Sequence, residues 1–100
     1  MSTETPPRIA VNFNEIVGHG LVLLAKEDRV MSADGAEVRL EDGLAVIAFE
    51  YNHYGDGSTE YLYVRGAAER NDPVVNGEWT RNAKWCCRFD GSVQSLDSAP

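Results

Sequence analysis

Basic residues, cysteines and long apolar runs are all scarce in this chain of 100 residues. Nine lysines and arginines stand against sixteen aspartates and glutamates, which gives a net charge of −7. A negative field repels nucleic-acid phosphates and anionic lipid headgroups, and it favours a basic partner. No apolar run approaches the roughly 20 residues that span a bilayer. The composition therefore predicts a protein that binds neither nucleic acid nor membranes.

The sequence also lacks the motifs that accompany many kinds of catalysis. Neither standard Gly-rich phosphate loop is present, and no serine lies in a strand–turn–helix nucleophile motif. The two histidines are His19, between two glycines, and His53, just before a turn. Their positions match no catalytic triad. We therefore predict a protein that is not an enzyme, with no catalytic residue and no cofactor.

The two cysteines are adjacent, at Cys86 and Cys87. Zinc sites usually take two ligands from a C-x2-4-C pair, and neighbouring residues on a strand point to opposite faces. This pair therefore predicts no metal site. We expect Cys87 to pack in the core and Cys86 to be half-exposed. Lys84 and Arg88 flank Cys86, which keeps a thiol- or metal-dependent enzyme open as an alternative.

The ends of the chain bear on its compartment. Residues 1–7 are polar and contain proline, without the basic and apolar regions of a signal peptide. Adjacent thiols rarely form a disulfide with each other, and they fit a reducing compartment. We therefore expect a cytoplasmic protein. Residues 1–7 and 97–100 are predicted to be disordered tails around a single β domain at residues 8–96.

Turn signals are the most abundant local feature of the chain. Glycine adopts a positive φ without steric cost, and aspartate tolerates it, so Asp-Gly between apolar runs is a strong hairpin signal. The Asp-Gly pairs lie at Asp34-Gly35, Asp42-Gly43, Asp56-Gly57 and Asp90-Gly91. We predict an all-β fold: a small antiparallel barrel or a two-sheet sandwich of about six to eight strands joined by these hairpins.

Apolar alternation assigns strands to parts of this fold. Residues 36–65 predict a three-stranded meander with turns at Asp42-Gly43 and Asp56-Gly57. Residues 84–96 predict a hairpin around Asp90-Gly91. The predicted core residues are Ile9, Leu23, Val46, Phe49, Leu62, Val64, Trp85 and Phe89.

Tyrosines are concentrated near the second turn of the predicted meander. Tyr61, Tyr63 and Arg65 share one face of their strand because they are spaced by two, and Tyr51 and Tyr54 lie just before the turn. Tyrosine and arginine anchor many protein interfaces, because they bury area and still offer a polar group. Cross-strand packing would explain the same aromatic residues without any ligand.

Acidic residues are concentrated in the first part of the chain. Residues 1–59 carry ten acidic and four basic side chains, whereas residues 60–90 carry five of each. Glu37, Glu41 and Asp42 are candidates for a negative docking face. A solvated surface that keeps a small protein soluble also explains them.

These residues suggest two functions of different classes. The first is a non-enzymatic inhibitor, immunity or adaptor protein, in which the acidic residues steer a basic partner protein and the Tyr/Arg residues anchor it. The alternative is a module for a small ligand or a carbohydrate, stacked on Tyr51, Tyr54, Tyr61 and Trp79. A homodimer also remains open, since the predicted strand at 92–96 could pair across a two-fold axis.

Overall fold

The computed structural model describes residues 5–18 and 20–96 of the chain. In order, these residues form β1 (Arg8–Ala10), a 3-10 turn (Phe13–Glu15), β2 (Leu21–Ala25), β3 (Arg29–Met31), β4 (Glu37–Arg39), β5 (Ala45–His53), β6 (Thr59–Arg70), α1 (Pro73–Asn76), a second 3-10 turn (Glu78–Thr80), β7 (Trp85–Phe89) and β8 (Gln94–Leu96). No helix in this part of the chain is long and apolar enough to cross a membrane.

The strands form one large sheet and one small sheet, so the prediction of a small all-β fold is confirmed. The large sheet has the order β1-β5-β6-β7-β2, with β8 paired to β6 as well. β1 runs parallel to β5, and the other pairs of this sheet are antiparallel. The sheet curls into a half-barrel, and the small sheet consists of β3 and β4.

Two of the Asp-Gly pairs form the predicted hairpins. Asp34-Gly35 joins β3 to β4, and Asp56-Gly57 joins β5 to β6. In the second turn Gly57 has φ 89°, and its N–H donates to the carbonyl oxygen of Tyr54 at 3.0 Å. Glycine is favoured there because an L side chain is strained at this φ. This turn fixes the register of the long β5–β6 hairpin, in which Tyr51 lies opposite Tyr61.

The predicted meander over residues 36–65 is wrong, because β4 pairs with β3 and not with β5. The Asp42-Gly43 turn instead carries the chain from the small sheet to the large one. The Gly43 N–H donates to the carbonyl of Ala68, and a carboxylate oxygen of Asp42 accepts from the N–H of Arg70 at 2.9 Å. These bonds hold the turn at the far end of β6, where it cannot form a hairpin between β4 and β5.

The predicted hairpin over residues 84–96 is also wrong, because β8 pairs with β6. β6 is long enough to pair with β7 through residues 66–70 and with β8 through residues 61–63, along the same edge. After Asp90-Gly91 the chain therefore continues along that edge of β6 and does not turn back on β7. β6 thus offers backbone hydrogen-bonding groups to β8, and the turn signal at Asp90-Gly91 does not indicate this pairing.

The core lies on the inner face of the half-barrel. Register places Val46, Ala48, Val64 and Ala68 on this face, and the small sheet packs against it through Val30 and Val38. The buried apolar residues of this cluster are Ile9, Val22, Leu24, Leu40, Val46, Ala48, Val64, Ala68, Trp85, Cys87 and Phe89. Burial of the larger of these side chains, such as valine, leucine, isoleucine and phenylalanine, stabilises a fold by roughly 1.5–3 kcal/mol each.

Three of the predicted core residues remain partly exposed: Leu23, Phe49 and Leu62. Leu23 is aligned with Cys86 and Phe49 with Tyr63, so both side chains lie on the outer face of the sheet. Apolar character alone did not distinguish the two faces of these strands. The other five predicted core residues are buried, as expected.

Candidate functional site

Four of the predicted binding residues lie together on the outer face of the β5–β6 hairpin. Tyr51, Tyr61, Tyr63 and Arg65 are each an even number of positions apart within their strand, and Tyr51 is aligned with Tyr61. We call these four residues the Tyr/Arg face. The inward-pointing Val64 is buried, whereas Arg65 is exposed.

Aromatic packing gives the Tyr/Arg face its shape. The ring centroids of Tyr51 and Tyr61 are 4.8 Å apart at an interplanar angle of 45°, and those of Phe49 and Tyr61 are 6.4 Å apart at 40°. Such tilted pairs stabilise a sheet while they hold the rings in fixed orientations. Tyr51 nevertheless keeps 49% of its surface exposed. The pairing therefore leaves the face accessible to a partner.

The polar groups of the Tyr/Arg face are not used in bonds between the described residues. Within residues 5–18 and 20–96, Arg65 forms no hydrogen bond or ion pair, and the hydroxyl groups of Tyr51, Tyr61 and Tyr63 bond to no other residue. Arg88, on the same side of the sheet, differs because its guanidinium binds Glu69 through two bonds of 2.8 and 2.9 Å. The Arg65 guanidinium is therefore available to a carboxylate or carbonyl acceptor.

Tyr54 is not part of this face. Its hydroxyl donates to the Glu60 carboxylate at 2.8 Å, and Ser95 donates to the other oxygen of that carboxylate at 2.6 Å. Register places Glu60 opposite Asn52, on the side of the hairpin away from Tyr61. The bond to Glu60 raises the pKa of Tyr54, and the bonds from Ser95 and Tyr54 lower the pKa of Glu60. Tyr54 thus stabilises the hairpin end.

The predicted acidic residues lie elsewhere and do not converge on the Tyr/Arg face. Glu37 pairs with Arg29 at 3.5 Å across the small sheet. Glu41 and Asp42 lie in the turn that contacts Arg70, and a shallow cleft there is also lined by Trp85. Arg70 is nine positions beyond Tyr61, or roughly 30 Å along an extended strand. A single partner would need a large footprint to cover both regions.

Sequence reasoning missed an ordered loop at residues 71–84, which we call the Asn71 loop. The Asn71 amide nitrogen donates to the carbonyl oxygens of Thr80 and Ala83 at 2.9 and 2.8 Å. Its amide oxygen accepts from the Asn76 side chain at 2.8 Å. One asparagine thereby joins both halves of the loop. No sequence pattern around Asn71 predicts these contacts.

The Asn71 loop explains why Cys86 is fully buried, whereas we expected it to be half-exposed. The Cys86 thiol lies 3.5 Å from the amide oxygen of Asn71, on the outer face of β7. Cys87 is buried in the core on the opposite side of the strand. Burial raises the pKa of each thiol to about 11. A nucleophilic cysteine needs a lowered pKa, so neither thiol has the environment of a catalytic group.

The Asn71 loop also exposes three large apolar side chains. Val74 is 94% exposed, Val75 is 78% exposed and Trp79 is 58% exposed. The Trp79 indole rests against Gly77, where an added Cβ would lie 3.0 Å from the ring. Ligand-binding and protein-binding sites often contain exposed aromatic rings of this kind. Trp79 lies apart from the tyrosines with which the sequence analysis grouped it, since it lines a cleft that contains none of them.

The remaining candidates give no second site. His53 is exposed at the end of β5, and His19 lies outside the described residues. Across residues 5–18 and 20–96, no three histidine, cysteine, aspartate or glutamate side chains are grouped as metal ligands would be. Comparison with known proteins found no matching protein family, curated protein or solved structure. The chain is thus defined here as a small all-β protein with an exposed Tyr/Arg face.

Proposed function

We propose that this protein is a non-enzymatic binding module that docks a partner protein on the Tyr/Arg face. The observation that supports it is the availability of Arg65 and three tyrosine hydroxyls beside exposed aromatic surface. Tyrosine and arginine dominate the energetics of many interfaces, because each combines large contact area with a directional polar group. Rings that are already oriented by packing lose little conformational entropy when a partner binds.

The proposed partner is a basic protein that offers a carboxylate or a backbone carbonyl to Arg65. The net charge of −7 creates a field that attracts a basic molecule over long range. Short-range recognition is a separate step, in which Arg65 requires an acceptor on the partner. Steering of this kind raises the association rate and weakens as salt screens the field, with a Debye length of about 8 Å at physiological ionic strength.

In this proposal Glu37, Glu41 and Asp42 contribute to steering and not to the contact. Their distance from the Tyr/Arg face and the use of Asp42 by the Arg70 N–H support that division. Charge reversal at Glu41 should therefore slow association and reduce its salt dependence, while the dissociation rate stays nearly constant.

The test is affinity capture from cell lysate with matched variants, washed at low and moderate salt. The chain supplies close controls: Tyr54→Ala for Tyr51→Ala, since the two rings are 46% and 49% exposed, and Arg39→Ala for Arg65→Ala. We expect one stoichiometric protein that the wild type and both controls retain, and that Tyr51→Ala and Arg65→Ala lose. The proposal would be contradicted if all variants retained the captured protein, or if the wild type retained no protein at all.

A further inference from the structure

A cleft of about 430 Å³ lies between the two edges of the large sheet. β1 and β2 stand at opposite ends of the strand order, yet residues 10–12 and 23–26 line the same cleft. The half-barrel therefore curls until its edges face each other across an open gap. The Asn71 loop forms the third wall through Trp79, Thr80, Asn82 and Ala83. The volume falls within the range of roughly 300–1,000 Å³ that is usual for small-ligand sites.

The cleft has apolar walls and a small set of unoccupied polar groups. Leu23, Leu24 and Val11 supply apolar surface. Among the described residues, the Asn82 side chain has no hydrogen-bond partner, and Asn12 uses only its amide oxygen, which accepts from the Asn14 N–H. These amides can donate and accept at once, which suits hydroxyl groups.

The charges of the lining favour a neutral ligand. Glu15 and Lys26 are the two charged residues among the lining residues, and their charges cancel. An anionic ligand such as a phosphate is usually held by several basic groups, and a cationic ligand by several aromatic faces. A planar base is commonly stacked between two rings, whereas Trp79 is the single aromatic residue of this lining. One aromatic wall opposite hydrogen-bonding amides fits a ligand with one apolar face and polar groups elsewhere.

A pyranose ring has that distribution of chemistry. We propose that the cleft binds a neutral sugar, with the Trp79 indole stacked on the C–H face of the ring and Asn12 and Asn82 bonded to its hydroxyls. The indole is suited to this role because it packs close to the Gly77 backbone while more than half of the surface of Trp79 stays exposed. The site is separate from the Tyr/Arg face, none of whose four residues lines the cleft.

The test is titration of the full chain with glucose, galactose, mannose, N-acetylglucosamine and their common disaccharides, followed by tryptophan fluorescence and by amide NMR shifts. Trp85 is buried, so a fluorescence change is expected to arise from Trp79. We expect saturable binding of at least one neutral sugar, with a dissociation constant of about 1 mM or lower. Trp79→Ala should weaken it at least tenfold, while Val75→Ala leaves it unchanged.

Two further measurements test the class of ligand and the role of Asn82. The same titration with a sugar phosphate and with a nucleoside should give weaker binding than the neutral sugar. Asn82→Ala should weaken sugar binding without changing the urea midpoint of unfolding, which separates a lost contact from a damaged fold. The proposal is overturned if no neutral sugar saturates the signal, if a charged or aromatic ligand binds more tightly, or if Trp79→Ala binds as the wild type does.

Discussion

The Tyr/Arg face and the Asn71 loop are both exposed, but they are built by different interactions. In the Tyr/Arg face, strand alternation and cross-strand ring contacts orient the side chains, and these contacts join residues at aligned or diagonal positions. In the Asn71 loop, one side chain bonds to groups five to twelve positions away and fixes an irregular path. The first arrangement distributes its stability over a sheet, whereas the second concentrates it in a single residue.

That difference affects how each region should respond to mutation. Removal of one ring from the Tyr/Arg face leaves the backbone ladder of β5 and β6 in place. Removal of the Asn71 amide leaves the Ala83 carbonyl without a donor and leaves the Thr80 carbonyl with the Ala83 N–H alone. A polar group that is shielded from water and left unpaired costs more than the loss of a surface contact. We therefore expect the loop to be the more sensitive of the two regions.

The largest expected effect is that of Asn71→Ala. The substitution should lower the free energy of unfolding by roughly 2–4 kcal/mol, because several hydrogen bonds are lost at once and buried partner groups are left unpaired. Urea denaturation would measure this loss. Labelling of the thiols should also accelerate at least about tenfold, since the Asn71 side chain contacts Cys86 and loosening of the loop would uncover it.

Asn82→Ala is the matched control, because Asn82 lies in the same loop and its side chain bonds to no residue in the described part of the chain. We expect its free energy of unfolding to stay within about 0.5 kcal/mol of that of the wild type. Equal midpoints for the Asn71→Ala and Asn82→Ala variants would show that the network does not hold the loop.

The second effect is a loss of stability at alkaline pH through the two buried thiols. The pKa of Cys86 and of Cys87 is raised to about 11 in the folded protein, against about 8.5 for an unfolded thiol. The folded state thus keeps protons that the unfolded state releases, so this contribution is complete below about pH 8.5 and is lost as pH rises through about 11. The expected fall is roughly 1–3 kcal/mol per thiol.

Urea denaturation between pH 8 and 11 would measure how steeply stability falls with pH in the wild type, in Cys86→Ala and in Cys87→Ala. The other ionisable groups are common to all three proteins, so their contributions cancel in the difference. Each variant should show a shallower fall than the wild type. If neither substitution changes the pH dependence of stability, the thiols are accessible to water in solution. For Cys86, this would mean that the Asn71 loop does not cover it.

The same contrast explains what could be predicted from the sequence. The alternation at Tyr61, Tyr63 and Arg65 is a local pattern, and the β5–β6 turn signal lies directly beside it, so the hairpin and its outer face were predictable. The Asn71 network depends on the distances that appear only after β6 and β7 have paired. The partner of β8 likewise depends on the length of β6, which continues past Gly66 where the sequence becomes ambiguous.

Within the Tyr/Arg face, Tyr61→Ala should have a moderate effect. The ring packs against Tyr51 and Phe49, and loss of these contacts should lower the free energy of unfolding by about 1–2 kcal/mol. Tyr54→Ala, which removes an exposed ring from the hairpin end, should lower it by less than about 1 kcal/mol. Thermal unfolding of the two variants would compare them directly. A greater loss of stability in Tyr54→Ala than in Tyr61→Ala would mean that the turn stabilises the hairpin more than the paired rings do.

The smallest expected effect is that of a double substitution, Val74→Ser with Val75→Ser. Both valines are already exposed in the folded chain, so their replacement removes almost no buried apolar surface and should change stability by less than about 0.5 kcal/mol. Urea denaturation at several protein concentrations is the measurement. A loss above about 1 kcal/mol that grows with concentration would mean that a second copy of the chain covers these valines in solution. The loop would then be an interface, and its rigid Asn71 network would serve to hold that interface in shape before the copies meet.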